Sequence, residues 1–353
     1  MLQRKKITSL IINAIIIKML LTYPRNFVLN SGNAAWIQIL YDLFITLLIF
    51  WVIASSYKSK KNIITLAEEC GGKFFKTVIG IILLLILSSN LLSIVRIFPE
   101  TIKIILLQES KVEALLIIFA IVTIIGAYTG IESIATIHFL FLPIAGIVMV
   151  SFLLLLLPYY KADNLFPILG NGTKSIFFSG INSLSLFSDI ILLNILMPFF
   201  ENYSEFKKTG YRSIWIGGIA AFIIMLAYCS VYPYPESRDF ILPIYQLTRM
   251  IHLSSFFSRF ETFFQFVWSI LIMLYASFYI CIICFVFKQT FSLEFHKPLI
   301  ASIVIIIFGI SLAPASLMEF MELEKIIDLI IYPFAFFLPI LFIGAAHKRR
   351  ELK

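Results

Sequence analysis

Two ionisable residues stand deep inside apolar runs. Lys18 is the single charge in residues 7–23. That run is apolar on every side, which suits a helix in lipid better than a helix on a soluble core. At 1.5 Å of rise per residue, Lys18 lies about 17 Å in from residue 7. This is near the middle of a hydrocarbon layer roughly 30 Å thick. A lysine there costs about 2.5–3.5 kcal/mol, so such residues pair or line a cavity. Asp189 is the single charge in residues 176–200, at about the same depth measured from residue 200. Ser183, Ser185 and Ser188 precede it. A serine-rich patch packs helices closely or satisfies backbone groups freed at a break; the added carboxylate favours a functional cavity. The second run begins about halfway along the chain. Charged or interrupted segments at matching places in two halves point to a transporter-type site. Lys18 has a second reading: a helix ending at Leu21, before Tyr23-Pro24-Arg25, lets its ammonium snorkel to a nearby interface.

The other polar residues suggest structure before chemistry. Arg96 and Glu100, at the end of an apolar run, are expected to anchor it at an interface. Glu132 and His138 flank a short turn, where solvation or capping is expected. Gly126 and Gly130 form a GxxxG, the mark of close helix packing. Glu261, two residues after Arg259, complements a helix N-terminus. Tyr159, Tyr160, Tyr232 and Tyr234 suit an interfacial belt. Cys281 and Cys284 form a CxxC within an apolar helix, without the further thiolate or imidazole ligands that zinc requires. No metal or cofactor is expected. The chain has no HExxH, P-loop or GxSxG, so no enzyme is indicated.

These residues are carried by an extremely apolar chain. Of its 353 residues 60% are hydrophobic and 14% charged, and the mean hydropathy is +0.98. The length criterion gives about ten spans: 7–30, 36–54, 78–98, 114–128, 134–157, 176–200, 214–231, 260–287, 299–312 and 326–346. The first is not followed by a small-residue cleavage motif, so it is not expected to be a signal peptide. Residues 62–70, closed by Gly71-Gly72, suggest a short interfacial helix, and 314–325 an acidic loop. A single transmembrane domain over 1–353 follows, as two repeats of about 7–157 and 176–346. Five spans, a loop and five more start the second set from the opposite side, which is an inverted repeat.

The net charge of +8 does not suggest nucleic acid, because it falls in loops of one side. With a cytoplasmic N-terminus, about 17 basic residues face inward and about 9 outward, as the positive-inside rule requires. Both termini are then cytoplasmic.

Three segments carry a resemblance that covers nearly the whole chain. They are Phe240-Ile-Leu-Pro243-Ile-Tyr-Gln-Leu-Thr-Arg-Met-Ile with Phe257-Ser-Arg259-Phe-Glu261 and Trp268; Tyr23-Pro24-Arg25 with Asn33-Ala-Ala-Trp36; and Met197-Pro198-Phe199-Phe200. The sequence resembles the spore germination permeases, the B subunits of the nutrient germinant receptors of endospore-forming bacteria. That family lies within the amino acid–polyamine–organocation superfamily. The resemblance implies an all-α membrane protein of about ten helices, a five-plus-five inverted repeat with helices one and six broken. It implies a site at the breaks, built from Ile17, Lys18, Met19, Thr22, Ser185, Ser188, Asp189 and Ser277. The chain departs from the family there. Ile17-Lys18 stands where members carry glycine, and Ser188-Asp189 stands near their Gly-x-Glu, so the lysine either takes the place of a coupling cation or fills the pocket.

The function implied is that of an inner-membrane receptor subunit sensing a small nutrient, an amino acid, beside A-type and lipoprotein C-type subunits. A transporter of the same superfamily and a scaffold that binds no ligand are the alternatives. Helices one and six cross beside each other in an inverted repeat, so Lys18 and Asp189 are expected to line one cavity and influence each other's charge.

Overall fold

Each apolar run is helical, because lipid leaves the backbone no other partner. The structure is a computed structural model. It describes residues 3–56, 60–251, 260–294 and 297–351, with side chains throughout these except at 179–182, 260–261 and 342–351. The first half comprises α1 (Arg4–Leu20), α2 (Tyr23–Ser31), α3 (Ala35–Ser56), α4 (Ile63–Ile105), α5 (Val112–Thr129) and α6 (Ile131–Leu155). The second half opens with α7 (Thr173–Phe177), a 3-10 stretch over Ser179–Ile190 and α8 (Ile191–Ile195). It continues with α9 (Tyr203–Val231), α10 (Pro243–Arg249), α11 (Phe260–Phe291), α12 (Leu299–Ser311) and α13 (Leu317–Glu351). Among the described residues six stretches are long and apolar enough to cross a membrane, and Ser183–Ile195 and Leu299–Ser311 are shorter apolar helices.

The first span is broken at Leu21 and Thr22. Leu21 has φ −94° and ψ −103°, and its N–H reaches back to the Lys18 carbonyl. Pro24 sits in the first turn of α2. It has no N–H to donate, so the ladder of α1 cannot run through it. The sixth span is interrupted differently. Its twelve residues Ser179–Ile190 wind as a 3-10 helix, well beyond the three or four that this geometry ordinarily holds.

The halves interlock by counterparts. The first span lies against the Ser179–Ile190 stretch, α3 against α9, α4 against α11, and α5 against α12. This is the five-plus-five arrangement with helices one and six at its centre. Gly126 lets α5 and α11 approach closely, since a Cβ there would stand 2.3 Å from the Ser277 hydroxyl. Gly130 instead makes the turn between α5 and α6.

Several boundaries differ from the sequence expectation. The segment 63–70 is a helix, set off by non-helical backbone at Gly71 and Gly72. It is docked on protein: Asn62 caps it through the Thr65 N–H and donates to Gln289 of α11. α4 passes through Pro99 to Ile105. α13 starts at Leu317, so Glu319, Glu322 and Glu324 belong to the helix rather than to a loop. The cause is a capping-box sequence, Ser316-x-x-Glu319, whose glutamate reaches back one residue beyond the N-cap. The Glu319 N–H donates to the Ser316 hydroxyl, and the Glu319 carboxylate accepts from the Ala315 N–H.

Arg96 and His138 are buried rather than interfacial. Arg96 donates to the Ser311 carbonyl at the end of α12 and pairs with Glu100 at 3.4 Å. His138 lies 2.8 Å from the Asn13 amide nitrogen and 3.1 Å from the Ile134 carbonyl. The carbonyl can only accept, so the His138 proton is on Nδ1 and Nε2 accepts from Asn13. The polar loop 158–172 packs on the end of α9 and the start of α3. Asn164 covers the Ser230 and Val231 carbonyls at the end of α9, while Asn33 holds the loop's Asn164 and Phe166 carbonyls.

Candidate functional site

Lys18 lies in the last turn of α1, where the helix dipole favours a cation. Its ammonium meets Asp189 Oδ2 at 2.8 Å, with the two side chains 3% and 0% exposed. The ammonium also donates to the Ser188 hydroxyl at 2.9 Å and the Ser185 carbonyl at 3.3 Å. It stands 5.7 Å from the centre of the Tyr332 ring. The Ser188 hydroxyl in turn donates to Asn90 Oδ1 on α4. The depths read from the sequence therefore place the two charges in one layer, and the structure brings them into contact. The snorkelling alternative is overturned by this burial.

Little space remains beside the pair. A void of about 10 Å³, bounded by Lys18, Thr22, Asn90, Ser93, Glu324 and Tyr332, holds about one water. Two larger cavities lie alongside. One of about 170 Å³ is lined by Tyr23, Asn26, Asn30, Ser183 and Lys325, and one of about 350 Å³ by Tyr41, Ile45, Ile49, Leu329 and Phe336. Both reach Ser185 and Asp328. The Ser185 hydroxyl donates to Asp328 Oδ2 at 3.1 Å and accepts from the Tyr23 hydroxyl at 3.3 Å. Ser183 accepts from Gln38 and Asn30.

The remaining expected residues are scattered. Ile17 and Met19 are core side chains, and Thr22 sits in the break. Ser277 donates to the Met273 carbonyl of its own helix and faces Gly126. It borders neither cavity, because its side of α11 is taken up by packing against α5. Pro24, Pro198 and Pro243 each open a helical turn. Trp36 packs on Phe222 at 6.4 Å and Trp268 lies parallel to Phe264 at 6.3 Å. Among the described residues α11 runs from Phe260 to Phe291; Arg259, where the helix is expected to begin, and the side chain of Glu261 lie outside the described residues. Cys281 donates to the Ala127 carbonyl of α5.

Four residues of the centre carry signals that sequence reasoning passed over. Glu324, Asp328 and Tyr332 recur every fourth position, which places them on one face of α13. Asn90 is the one side-chain amide of α4, set among Ser88, Ser89 and Ser93.

This architecture has relatives. Residues 1–319 match the spore permease family, described as spore germination protein. Spore germination protein A2 of Bacillus subtilis (strain 168) is 26% identical over 353 residues, spanning 97% of this chain and 94% of that protein. Spore germination protein B2 of the same organism is 25% identical over 256 residues, 70% of this chain and 68% of that one. Among solved structures, a nucleobase-cation-symport-1 family transporter, Mhp1, in a closed conformation with bromovinylhydantoin bound, superposes with a TM-score of 0.60 at 12% identity. It covers 91% of this chain and 74% of its own. With nine-tenths of its length matched, this multi-pass membrane protein belongs to the spore permease family of spore germination proteins.

Proposed function

We propose that this chain is the nutrient-sensing membrane subunit of a germinant receptor, working beside A-type and C-type subunits in the inner membrane. It acts as one transmembrane unit over 1–353, with repeats of about 7–157 and 176–346. One observation carries the choice of receptor over transporter. The space between the broken helices is filled by the chain's own Lys18–Asp189 pair, leaving about 10 Å³. A substrate crossing there must first break a buried, hydrogen-bonded ion pair, which is strongly unfavourable. A ligand that binds beside the pair without displacing it biases the protein toward the conformation it fits better. The likeness to a solved transporter favours the second reading, an amino-acid transporter. Liposomes containing the purified chain, assayed for uptake of radiolabelled amino acids, separate the two. The expected result is no uptake, while spores that depend on this chain germinate in response to an amino acid. Accumulation above empty liposomes would replace the receptor with the transporter.

In this proposal both termini are cytoplasmic, from the distribution of basic residues. The connection between α12 and α13 then faces outward, and Ser316 in it is exposed. A Ser316→Cys chain freed of its native cysteines is expected to react with a membrane-impermeant maleimide in intact cells. Reaction only after permeabilisation would invert the topology.

A further inference from the structure

We infer that the nutrient site is off-centre, anchored on Asp328 of α13 and Asn26 of α2, and that it takes an α-amino acid with an apolar side chain. This rests on the receptor reading above and specifies its ligand.

Asp328 and Asn26 line the smaller cavity, and among the described residues the buried Asp328 Oδ1 and Asn26 Oδ1 have no hydrogen-bond partner. The hydroxyl donors around them are already engaged. Tyr23 donates to Ser185, and Ser185 donates to Asp328 Oδ2. The Asn30 amide donates to Ser183. A wall that offers unfilled acceptors and few free donors selects a ligand rich in N–H groups. A primary ammonium has three donors and no acceptor, and a carboxylate partner makes its hydrogen bonds charge-assisted. Lys325 is exposed at the rim of the same cavity. It supplies one positive charge next to the acceptors, where the carboxylate of a zwitterion would lie.

The larger cavity determines the rest of the ligand. It meets the smaller one at Ser185 and Asp328 and runs between α3 and α13. Its volume of about 350 Å³ falls within the usual span of small-molecule pockets, roughly 300–1,000 Å³. Apart from Asp328, Ser185 and two tyrosines, its walls are Ile45, Ile49, Leu184, Leu329, Pro333, Phe336 and Phe337. A ligand with its ammonium on Asp328 therefore extends an apolar side chain along this wall. A polar side chain would be left without partners there. The central Lys18–Asp189 pair is untouched by such a ligand. Ser185 is the link between them: its carbonyl accepts from Lys18 and its hydroxyl holds Asp328.

The test uses the full chain in nanodiscs and four probes. L-leucine carries every feature; isoamylamine lacks the carboxylate, isocaproate lacks the ammonium, and glycine lacks the side chain. Leucine is expected to bind, isoamylamine to bind more weakly and isocaproate not at all. Asp328→Asn should weaken leucine by roughly tenfold to a hundredfold, the worth of a charge-assisted hydrogen bond. Leu329→Trp fills the apolar cavity without touching the acceptors. It should weaken leucine and leave glycine unchanged. Leucine binding that ignores Asp328→Asn, in a variant that melts with the wild type, would overturn the site and leave the receptor reading standing. So would isocaproate binding better than isoamylamine. A lipid acyl chain in the larger cavity that leucine does not displace would also overturn it. Failure of the wild-type chain to bind any amino acid, combined with uptake-free liposomes, would remove the amino-acid receptor reading as well.

Discussion

Lys18→Met and Asp189→Asn, introduced singly, are expected to destabilise the protein by about 3–5 kcal/mol each, while the double variant loses far less than their sum. Each single change leaves one charge without its ion-pair partner, with both side chains almost fully buried. Lys18→Met should be the worse of the two. Glu324 also borders the void beside this ammonium, so its loss takes the cation away from two carboxylates, Asp189 and Glu324, whereas Asp189→Asn still leaves Lys18 its contacts with Ser188 and Ser185. Replacing both charges removes the pair and its desolvation together. Melting of the four proteins in one detergent provides the cycle, and nutrient response provides the second readout. Coupled residues depart from additivity by about 0.5–3 kcal/mol. Effects that simply sum would mean that the pair adds nothing beyond its separate contacts.

The ten-helix architecture was legible because lipid enforces it. A span must be a long apolar run with its backbone bonded within the protein, so run length locates it even where, as in the first and sixth, the helix is interrupted. The ends were less legible, because they depend on local partners that length does not register. Ser316-x-x-Glu319 is a capping-box sequence, and it starts α13 where charge content suggested a loop. α4 continues past Pro99, where the sequence left a loop and a helix extension both open because proline usually ends a helix. Arg96 and His138 were assigned to surfaces because they stand near the ends of such runs. Tertiary contacts bury both: the Ser311 carbonyl and Glu100 take the guanidinium, and Asn13 takes the imidazole.

At the centre, Lys18 and Asp189 were legible because each is a lone charge far from both ends of an apolar run. Of their partners, Ser188 was read from the serines around Asp189, but Asn90 was not: it is an ordinary polar residue whose importance comes from a chain of hydrogen bonds across three helices. Asp328 and Tyr332 fall in the expected span 326–346, but Glu324, the first member of their fourfold spacing, stands in the apparent loop, so the shared face of α13 is not visible until the cap is recognised. Ser277 shows the opposite error. A serine in the expected eighth span looks like a ligand, but its place against Gly126 is a packing contact.

Asp42→Leu is expected to stabilise the protein by about 1–3 kcal/mol and to impair nutrient response. Asp42 is the single charge of the run 36–54, only six residues from its start, where depth alone assigns a carboxylate to the interface. The structure buries it completely on α3, and neither carboxyl oxygen has a hydrogen-bond partner among the described residues. A polar group kept from water without a partner costs about 1–3 kcal/mol by mutational measures. Leucine has nearly the shape of aspartate, with two methyls in place of two oxygens, so the substitution removes that cost without opening a cavity. Stability gained in this way commonly lowers function where a strained or unsatisfied group takes part in it. The α3 helix also forms one wall of the larger cavity, through Tyr41, Ile45 and Ile49, so the carboxyl is well placed to influence how that wall moves. Thermal melting checks the first half and germination response the second. A lower melting temperature for Asp42→Leu would show that the carboxyl has a stabilising partner. A raised melting temperature with full response would make Asp42 a tolerated defect of the core rather than a working part of the receptor.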